Sequence, residues 1–216
     1  SINNTAVGYQ TLFSNTYGIN NTAVGQNALL NNTTGTAQTA VGQAALIAAT
    51  TSVENTAVGT GALYNVTTGN SNTGLGRSAG LGISTGGSNV AVGAYSLYNN
   101  GGTSVGSGNV SVGNSSQFYS TASNLVSLGY ATLYQNTTGV NNTALGHAVL
   151  YSNTTGYNNT GVGHQALYYN TYGVGNVAMG YQALYNNTVG SDNVAIGGTA
   201  FTNVTTGYQN IGIGTN

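Results

Sequence analysis

A glycine preceded by an aliphatic residue recurs about every 17 residues along this whole chain. The repeat glycines are Gly8, Gly25, Gly42, Gly59, Gly76, Gly93, Gly113, Gly129, Gly146, Gly163, Gly180, Gly197 and Gly214. Self-similarity at such a period is typical of solenoids, in which each repeat is one coil stacked on the next. The sequence therefore predicts a single repeat array over residues 1–216, of about thirteen 17-residue coils, with irregular coils over 77–125 where the spacing becomes 20 and then 16.

Each coil is too short and too rich in corners to be helical. The repeat approximates N-T-A-V-G-x-x-A-L-Y-x-N-T-T-G-x-N, so a second glycine marks another corner. Runs of a few residues between corners make marginal helices but ordinary strands. The sequence therefore predicts an all-β fold, a parallel β-solenoid or β-roll with two short strands per coil.

Three columns of side chains run through the segment before the repeat glycine. The valine column is the residue directly before it: Val7, Val24, Val41, Val58, Leu75, Val92, Val112, Leu128, Leu145, Val162, Met179, Ile196 and Ile213. The threonine column lies three before it: Thr5, Thr22, Thr39, Thr56, Thr73, Val90, Val110, Val126, Thr143, Thr160, Val177, Val194 and Ile211. Because side chains alternate along a strand, these two columns share a face, and their apolar character predicts that this face is the core.

The alanine column between them never holds a residue larger than Ala or Ser: Ala6, Ala23, Ala40, Ala57, Gly74, Ala91, Ser111, Ser127, Ala144, Gly161, Ala178, Ala195 and Gly212. A solvent-facing column would accept long polar side chains. Its small residues therefore predict an outer face against which another chain packs closely.

Two further columns follow the repeat glycine. The leucine column lies four after it and is predicted to point inward: Leu12, Leu29, Leu46, Leu63, Leu97, Leu133, Leu150, Leu167, Leu184 and Phe201. The tyrosine column comes next and is predicted to point outward as stacked rings: Phe13, Tyr64, Tyr98, Phe118, Tyr134, Tyr151, Tyr168 and Tyr185. Outward alanine and tyrosine columns would form a large apolar surface, which favours a homo-oligomer, with three chains side by side preferred or an end-to-end filament.

An asparagine stands four before the repeat glycine in most coils, and we call this the asparagine column: Asn4, Asn21, Asn55, Asn72, Asn89, Asn109, Asn142, Asn159, Asn176, Asn193 and Asn210. Stacked amides can bridge coil to coil, as in other cross-β arrays. Alternatively, each asparagine caps a turn. Either interpretation gives the column a structural role.

The repeat resembles arrays in bacterial and phage proteins described as tail-fibre-like. It is also similar to the head repeats of trimeric autotransporter adhesins, whose signature is Ser-Val-Ala-Ile-Gly; the nearest matches are Asn193–Gly197 and Val110–Gly113. The adhesin resemblance implies a left-handed parallel β-roll, trimeric assembly, surface display and no catalysis. This sequence departs from that family in its longer coil and in having no coiled-coil neck or stalk.

The composition excludes several classes of function. Charged residues make up 1% of the chain, and Arg77 is its only Lys or Arg, so nucleic acid is not a predicted partner. No apolar run is long enough to insert in a membrane. The two acids, Glu54 and Asp192, lie in distant coils, and no coil combines an acid with a histidine. We therefore predict no catalytic residues, no cofactor and no enzyme activity.

His147 and His164 lie one period apart and should therefore stack on neighbouring coils. Two imidazoles could hold a metal ion, but closed sites use three or four ligands. The same column also accepts Tyr, Gln and Thr, as a permissive surface position would. The sequence therefore predicts no metal site, and these two histidines are the only candidates.

Asparagine sequons cluster at the Asn-Thr-Thr corner: Asn31, Asn32, Asn65, Asn136, Asn153, Asn186 and Asn203. A glycan at a corner would point outward and would help a nearly uncharged protein to stay soluble. The alternative is that Asn and Thr are simply favourable turn residues. The corner residues are therefore candidate glycosylation sites.

An unbroken array without a chemical site predicts a non-catalytic extracellular fibre or filament segment, an adhesive shaft or spacer at a cell or virion surface. The alternative hypothesis is a solenoid that recognises carbohydrate or ice through a flat ladder of side chains. The threonine column suggests such a ladder, whereas its exchange with Val and Ile favours burial.

Overall fold

The computed structural model describes residues 2–99 and 105–215. The chain is an all-β parallel β-solenoid, and its described residues contain no helix. The strands are β1 (Thr5–Val7), β2 (Thr22–Val24), β3 (Thr39–Val41), β4 (Thr56–Val58), β5 (Thr73–Leu75), β6 (Val90–Val92), β7 (Val110–Val112), β8 (Val126–Leu128), β9 (Thr143–His147), β10 (Thr160–His164), β11 (Val177–Met179), β12 (Val194–Ile196) and β13 (Ile211–Ile213).

The chain divides into two compact units, residues 1–109 with β1 to β6 and residues 110–216 with β7 to β13. The boundary lies within the irregular coils 77–125. Inside each unit the strands pair in chain order, parallel and in register, so that Thr22 faces Thr39 and Thr160 faces Val177. The 16-residue interval keeps this register, since Val110 faces Val126. The missing residue is therefore absorbed in a corner.

The structure corrects the prediction of two strands per coil, because over residues 2–99 and 105–215 each coil contains a single strand, usually of three residues. The segment after the repeat glycine is a series of turns in which every second residue is left-handed. In the second coil, for example, Asn27 and Leu29 have φ angles of 59° and 50°. A left-handed conformation costs a non-glycine residue about 1–2 kcal/mol. Burial of a leucine side chain gains about 1.5–3 kcal/mol, which offsets that cost.

The predicted orientation of the strand was also wrong: the valine and threonine columns point outward, and the alanine column points into the core. Ala23, Ala40 and Ala57 are fully buried, whereas Leu75 and Leu145 are 47% and 46% exposed. The leucine column is buried on the opposite side, as predicted. A Cβ atom added to Gly74 would lie 2.8 Å from Cγ of Leu63. The alanine column is therefore small because the chain's own leucines fill the space.

The repeat glycines occupy corners that other residues cannot take. Gly25 has a φ of 128°, and a Cβ at this position would lie 2.6 Å from the carbonyl oxygen of Gly42 in the next coil. Backbone of neighbouring coils therefore approaches too closely for a side chain. This explains why the glycine recurs in every coil.

The asparagine column is a ladder that Leu125 interrupts and in which Gln38 replaces one asparagine, and both interpretations of it are confirmed. Nδ2 of Asn159 donates to Oδ1 of Asn142 in the preceding coil, at 3.2 Å. The same Nδ2 donates to the carbonyl oxygen of Gly173, at 2.8 Å, and thereby caps a corner of the next coil. Oδ1 of Asn159 accepts from the backbone N–H of Asn176. The amide of Asn159 therefore connects three coils.

Candidate functional site

The outward side of strands β1 to β5 in the first unit is a regular surface, which we call the first strand face. It consists of Thr5, Thr22, Thr39, Thr56 and Thr73 with Val7, Val24, Val41, Val58 and Leu75. All ten side chains are exposed or half-buried. Four of these strands read Thr-Ala-Val and the fifth reads Thr-Gly-Leu. The face therefore has one row of hydroxyls and one row of aliphatic groups.

The hydroxyls of this face make no hydrogen bond to any described residue. The corner threonines behave differently: Oγ of Thr16 donates to the carbonyl of Thr33, and Oγ of Thr33 donates to that of Thr50, both at 3.0 Å. The fold therefore uses one row of threonine hydroxyls internally and leaves the other row open to external groups.

The corresponding surface of the second unit is more apolar, and we call it the second strand face. Its outward positions are Val110, Val112, Val126, Leu128, Thr143, Leu145, Thr160, Val162, Val177, Met179, Val194, Ile196, Ile211 and Ile213. Leu145, Met179 and Ile196 are 46%, 42% and 38% exposed. An exposed apolar stripe of this kind usually marks an interaction surface.

The tyrosine column forms the predicted outward ladder of rings in the second unit. Phe118, Tyr134, Tyr151, Tyr168 and Tyr185 stack in succession, with centroid separations of 5.0–5.3 Å. Burial against these neighbours raises the pKa of Tyr134, Tyr168 and Tyr185, and nearby tyrosines raise it further. Because each ring face between the two ends of the stack covers another ring, the ladder presents mainly ring edges and hydroxyls to solvent.

His147 and His164 pair across β9 and β10 and stack as the sequence predicts, with ring centroids 5.0 Å apart. Tyr130 and Tyr181 extend the stack at either end, at 5.2 and 5.4 Å. Across residues 2–99 and 105–215, no group of three or more His, Asp or Glu side chains gathers to hold a metal ion. The pair could supply two ligands.

The candidate glycosylation sites separate into two groups. Asn32, Asn136 and Asn153 are fully buried, and Nδ2 of each donates to a glycine carbonyl three residues on. A glycan on these nitrogens is incompatible with the fold, so these three predictions are wrong. The other four, on the outer corner, are exposed or half-buried: Asn31, Asn65, Asn186 and Asn203.

The few charged side chains are dispersed. Oε2 of Glu54 accepts from Oγ of Ser71 at 3.2 Å, and the Arg77 guanidinium lies 5.2 Å from the centre of the Tyr95 ring. Asp192 is at a left-handed corner of the second unit, with a φ of 59°. None of these contacts places an acid beside a histidine.

No known protein family, curated protein or solved structure matches this chain. The resemblance to tail-fibre-like arrays and to trimeric adhesins therefore stays a prediction from the repeat. In the described part of the chain, no helix has the length and apolar character needed to span a bilayer.

Proposed function

We propose that this chain is a non-catalytic structural segment of an extracellular fibre, serving as a shaft or spacer. The observation that carries the proposal is that equivalent positions link one coil to the next, the amides and hydroxyls in both units and the rings in the second. Buried asparagine amides, corner threonine hydroxyls and stacked rings all make their contacts with the neighbouring coil. In repeat proteins such nearest-neighbour contacts supply the stability of the whole array.

The scarcity of acid–base groups supports a passive role. General acid–base catalysis needs titratable side chains within hydrogen-bond reach of one substrate. Glu54 and Asp192 belong to different units, and the two histidines stack only with each other and with tyrosines.

Association with copies of itself is the second part of the proposal. The second strand face supplies the apolar contact, and a net charge of −1 gives little repulsion between copies. We favour three chains side by side over an end-to-end filament. Glycans on Asn31, Asn65, Asn186 or Asn203 would cover the outer corners and keep the fibre soluble.

Electron microscopy of the purified chain, together with its mass from light scattering, tests this proposal. We expect uniform elongated particles containing three chains. Leu145→Asp places a charge in the middle of the second strand face and should reduce the mass to that of one chain. Thr138→Asp, at an exposed corner, is the matched control and should leave the mass unchanged. A compact monomer of the unmodified chain would contradict the proposal.

A further inference from the structure

The first strand face has an order that a fibre shaft does not require. Thr5, Thr22, Thr39, Thr56 and Thr73 follow one another in register, each beside an outward aliphatic residue. Neighbouring strands lie about 4.8 Å apart, and side chains two residues apart on one strand are about 7 Å apart. The face is therefore a regular two-dimensional lattice with two spacings.

The chemistry of this lattice is uniform. Every threonine hydroxyl in it is free of bonds to described residues. Branching at Cβ restricts the χ1 angle of Thr and Val, so the hydroxyls and methyls have few orientations. Neither column of the face holds a charged residue.

We propose that the first strand face binds ice. The surface of an ice crystal is an uncharged lattice of oxygen atoms that donate and accept hydrogen bonds at regular spacings. The strand spacing is close to the oxygen repeat along one axis of that lattice. A row of hydroxyls can therefore occupy successive lattice positions, while the adjacent methyl groups hold water in ordered cages.

The regular lattice of the face favours a crystal over a protein partner. A crystal surface repeats the same pattern everywhere, so a small face can contact a complementary site at any position on that surface. Crystalline polysaccharide is disfavoured because sugars stack on aromatic ring faces, and this face contains no aromatic residue.

Thermal hysteresis, the gap between the melting and freezing points of an ice crystal in protein solution, tests the proposal. Thr39→Lys puts a long charged side chain at the centre of the face and should lower the hysteresis at least about tenfold. Thr34→Lys has the same change at an exposed corner and should keep it. Circular dichroism of both variants checks that the solenoid is intact.

Two further variants separate the groups involved. Thr39→Val removes the hydroxyl and Thr39→Ser removes the methyl, and each should reduce the hysteresis while leaving the fold unchanged. Three results would overturn the proposal. The folded unmodified chain shows no hysteresis, Thr39→Lys and Thr34→Lys show equal hysteresis, or the chain binds crystalline cellulose in place of ice. Hysteresis does not depend on the particle shape or mass measured for the fibre proposal, so the two proposals are tested independently.

Discussion

At the scale of single residues, the space between the two sides of a coil limits the size of the side chain that each position can hold. The inward alanine column meets the leucine column directly, whereas the outward valine column already accepts Val, Leu, Met and Ile. Side-chain volume is therefore restricted on the inward side of the strand and unrestricted on the outward side. Two neighbouring residues of β3 make this difference testable.

Ala40→Leu should lower the free energy of unfolding by about 3 kcal/mol, because the added atoms have no space in a closely packed core. Val41→Leu, on the next residue, should change it by less than about 0.5 kcal/mol, since its column is exposed and holds leucine in other coils. Thermal denaturation of the two variants compares these costs. Equal losses would contradict the assigned orientation of the strand.

A second residue-scale prediction concerns an interrupted ladder. Oδ1 of Asn187 is buried without a hydrogen-bond partner, because Val204 stands where the preceding coils have asparagine. In the preceding coil, Oδ1 of Asn170 accepts from Nδ2 of Asn187 at 2.7 Å.

Val204→Asn should restore that donor and raise the free energy of unfolding by about 1 kcal/mol. An unsatisfied buried acceptor costs about 1–3 kcal/mol, and the lost packing of the half-buried valine offsets part of the gain. Val204→Ala is the control and should destabilise the chain. A melting temperature for Val204→Asn below that of the unmodified chain would show that packing matters more than the amide.

Gln38 shows how a ladder can be repaired where asparagine is missing. Asn32 lies three residues after a member of the leucine column, and the next coil has Ala49 at the equivalent position. The longer Gln38 side chain donates from Nε2 to Oδ1 of Asn32 at 3.1 Å, and its Oε1 accepts from Oγ of Ser52 at 3.1 Å. The exchange of Asn for Gln in the asparagine column is therefore a local compensation.

At the scale of elements, the glycine period was sufficient to predict the parallel register, the inward leucine column and the stacked rings. It could not predict which side of the strand faces the core, because alternation tells only which residues share a face. The valine and alanine columns are both apolar, so hydrophobicity did not distinguish them. The small size of the alanine column was visible, but it was assigned to contact with another chain.

The absence of a second strand was also hidden from sequence-based reasoning. Leu29 and its equivalents adopt left-handed conformations, which leucine rarely does. Propensity therefore favoured an extended segment there. The threonine column suggested a ladder of hydroxyls, but its exchange with Val and Ile in other coils was interpreted as a sign of burial.

The asparagine ladder should be sensitive to loss of a single member. Asn159→Ala removes two donated hydrogen bonds and leaves the backbone N–H of Asn176 without its acceptor. We expect the free energy of unfolding to fall by about 3 kcal/mol. Asn158→Gly is the control: Asn158 is exposed with a φ of 58°, a conformation that glycine adopts freely. Its melting temperature should be unchanged or higher.

The ring ladder predicts a dependence of stability on alkaline pH. The folded state raises the pKa of Tyr134, Tyr168 and Tyr185 above 10.0, mainly by burial. Between the unfolded and folded pKa values the folded chain therefore binds more protons than the unfolded chain. These three tyrosines make their full contribution to the free energy of unfolding below about pH 10, and this contribution is lost as the pH rises further.

Melting temperatures measured as a function of pH check this sign. Replacing the three tyrosines with phenylalanine keeps the stacking and removes the hydroxyls, so the decline above about pH 10 should become shallower. Parallel curves for the variant and the unmodified chain would contradict the assigned role of burial.

At the scale of the whole molecule, both units repeat one structural plan and should accept a change in the number of coils. Each coil contacts its neighbours through the same bonds, so removing one complete period brings equivalent groups together. The second unit has successive regular coils in which this can be tested.

Deletion of residues 140–156 removes one 17-residue period and should retain the circular dichroism spectrum, with a melting temperature lower by a few degrees at most. Deletion of residues 140–147 removes β9 with its repeat glycine but keeps the rest of that coil, and it should abolish cooperative unfolding of the second unit, because the Asn and glycine columns no longer align. Similar spectra for the two deletions would show that the period is not the structural unit.

The buried amides also share a direction. Asn72 donates back to Asn55, Asn89 donates back to Asn72, and Asn176 and Asn193 donate back in the same sense in the second unit. Their dipoles therefore add along the stacking axis, with the positive ends toward the earlier coils, as peptide dipoles add in a helix. The row of amides in each unit thus has an electrical polarity of its own, which needs no ionised side chain.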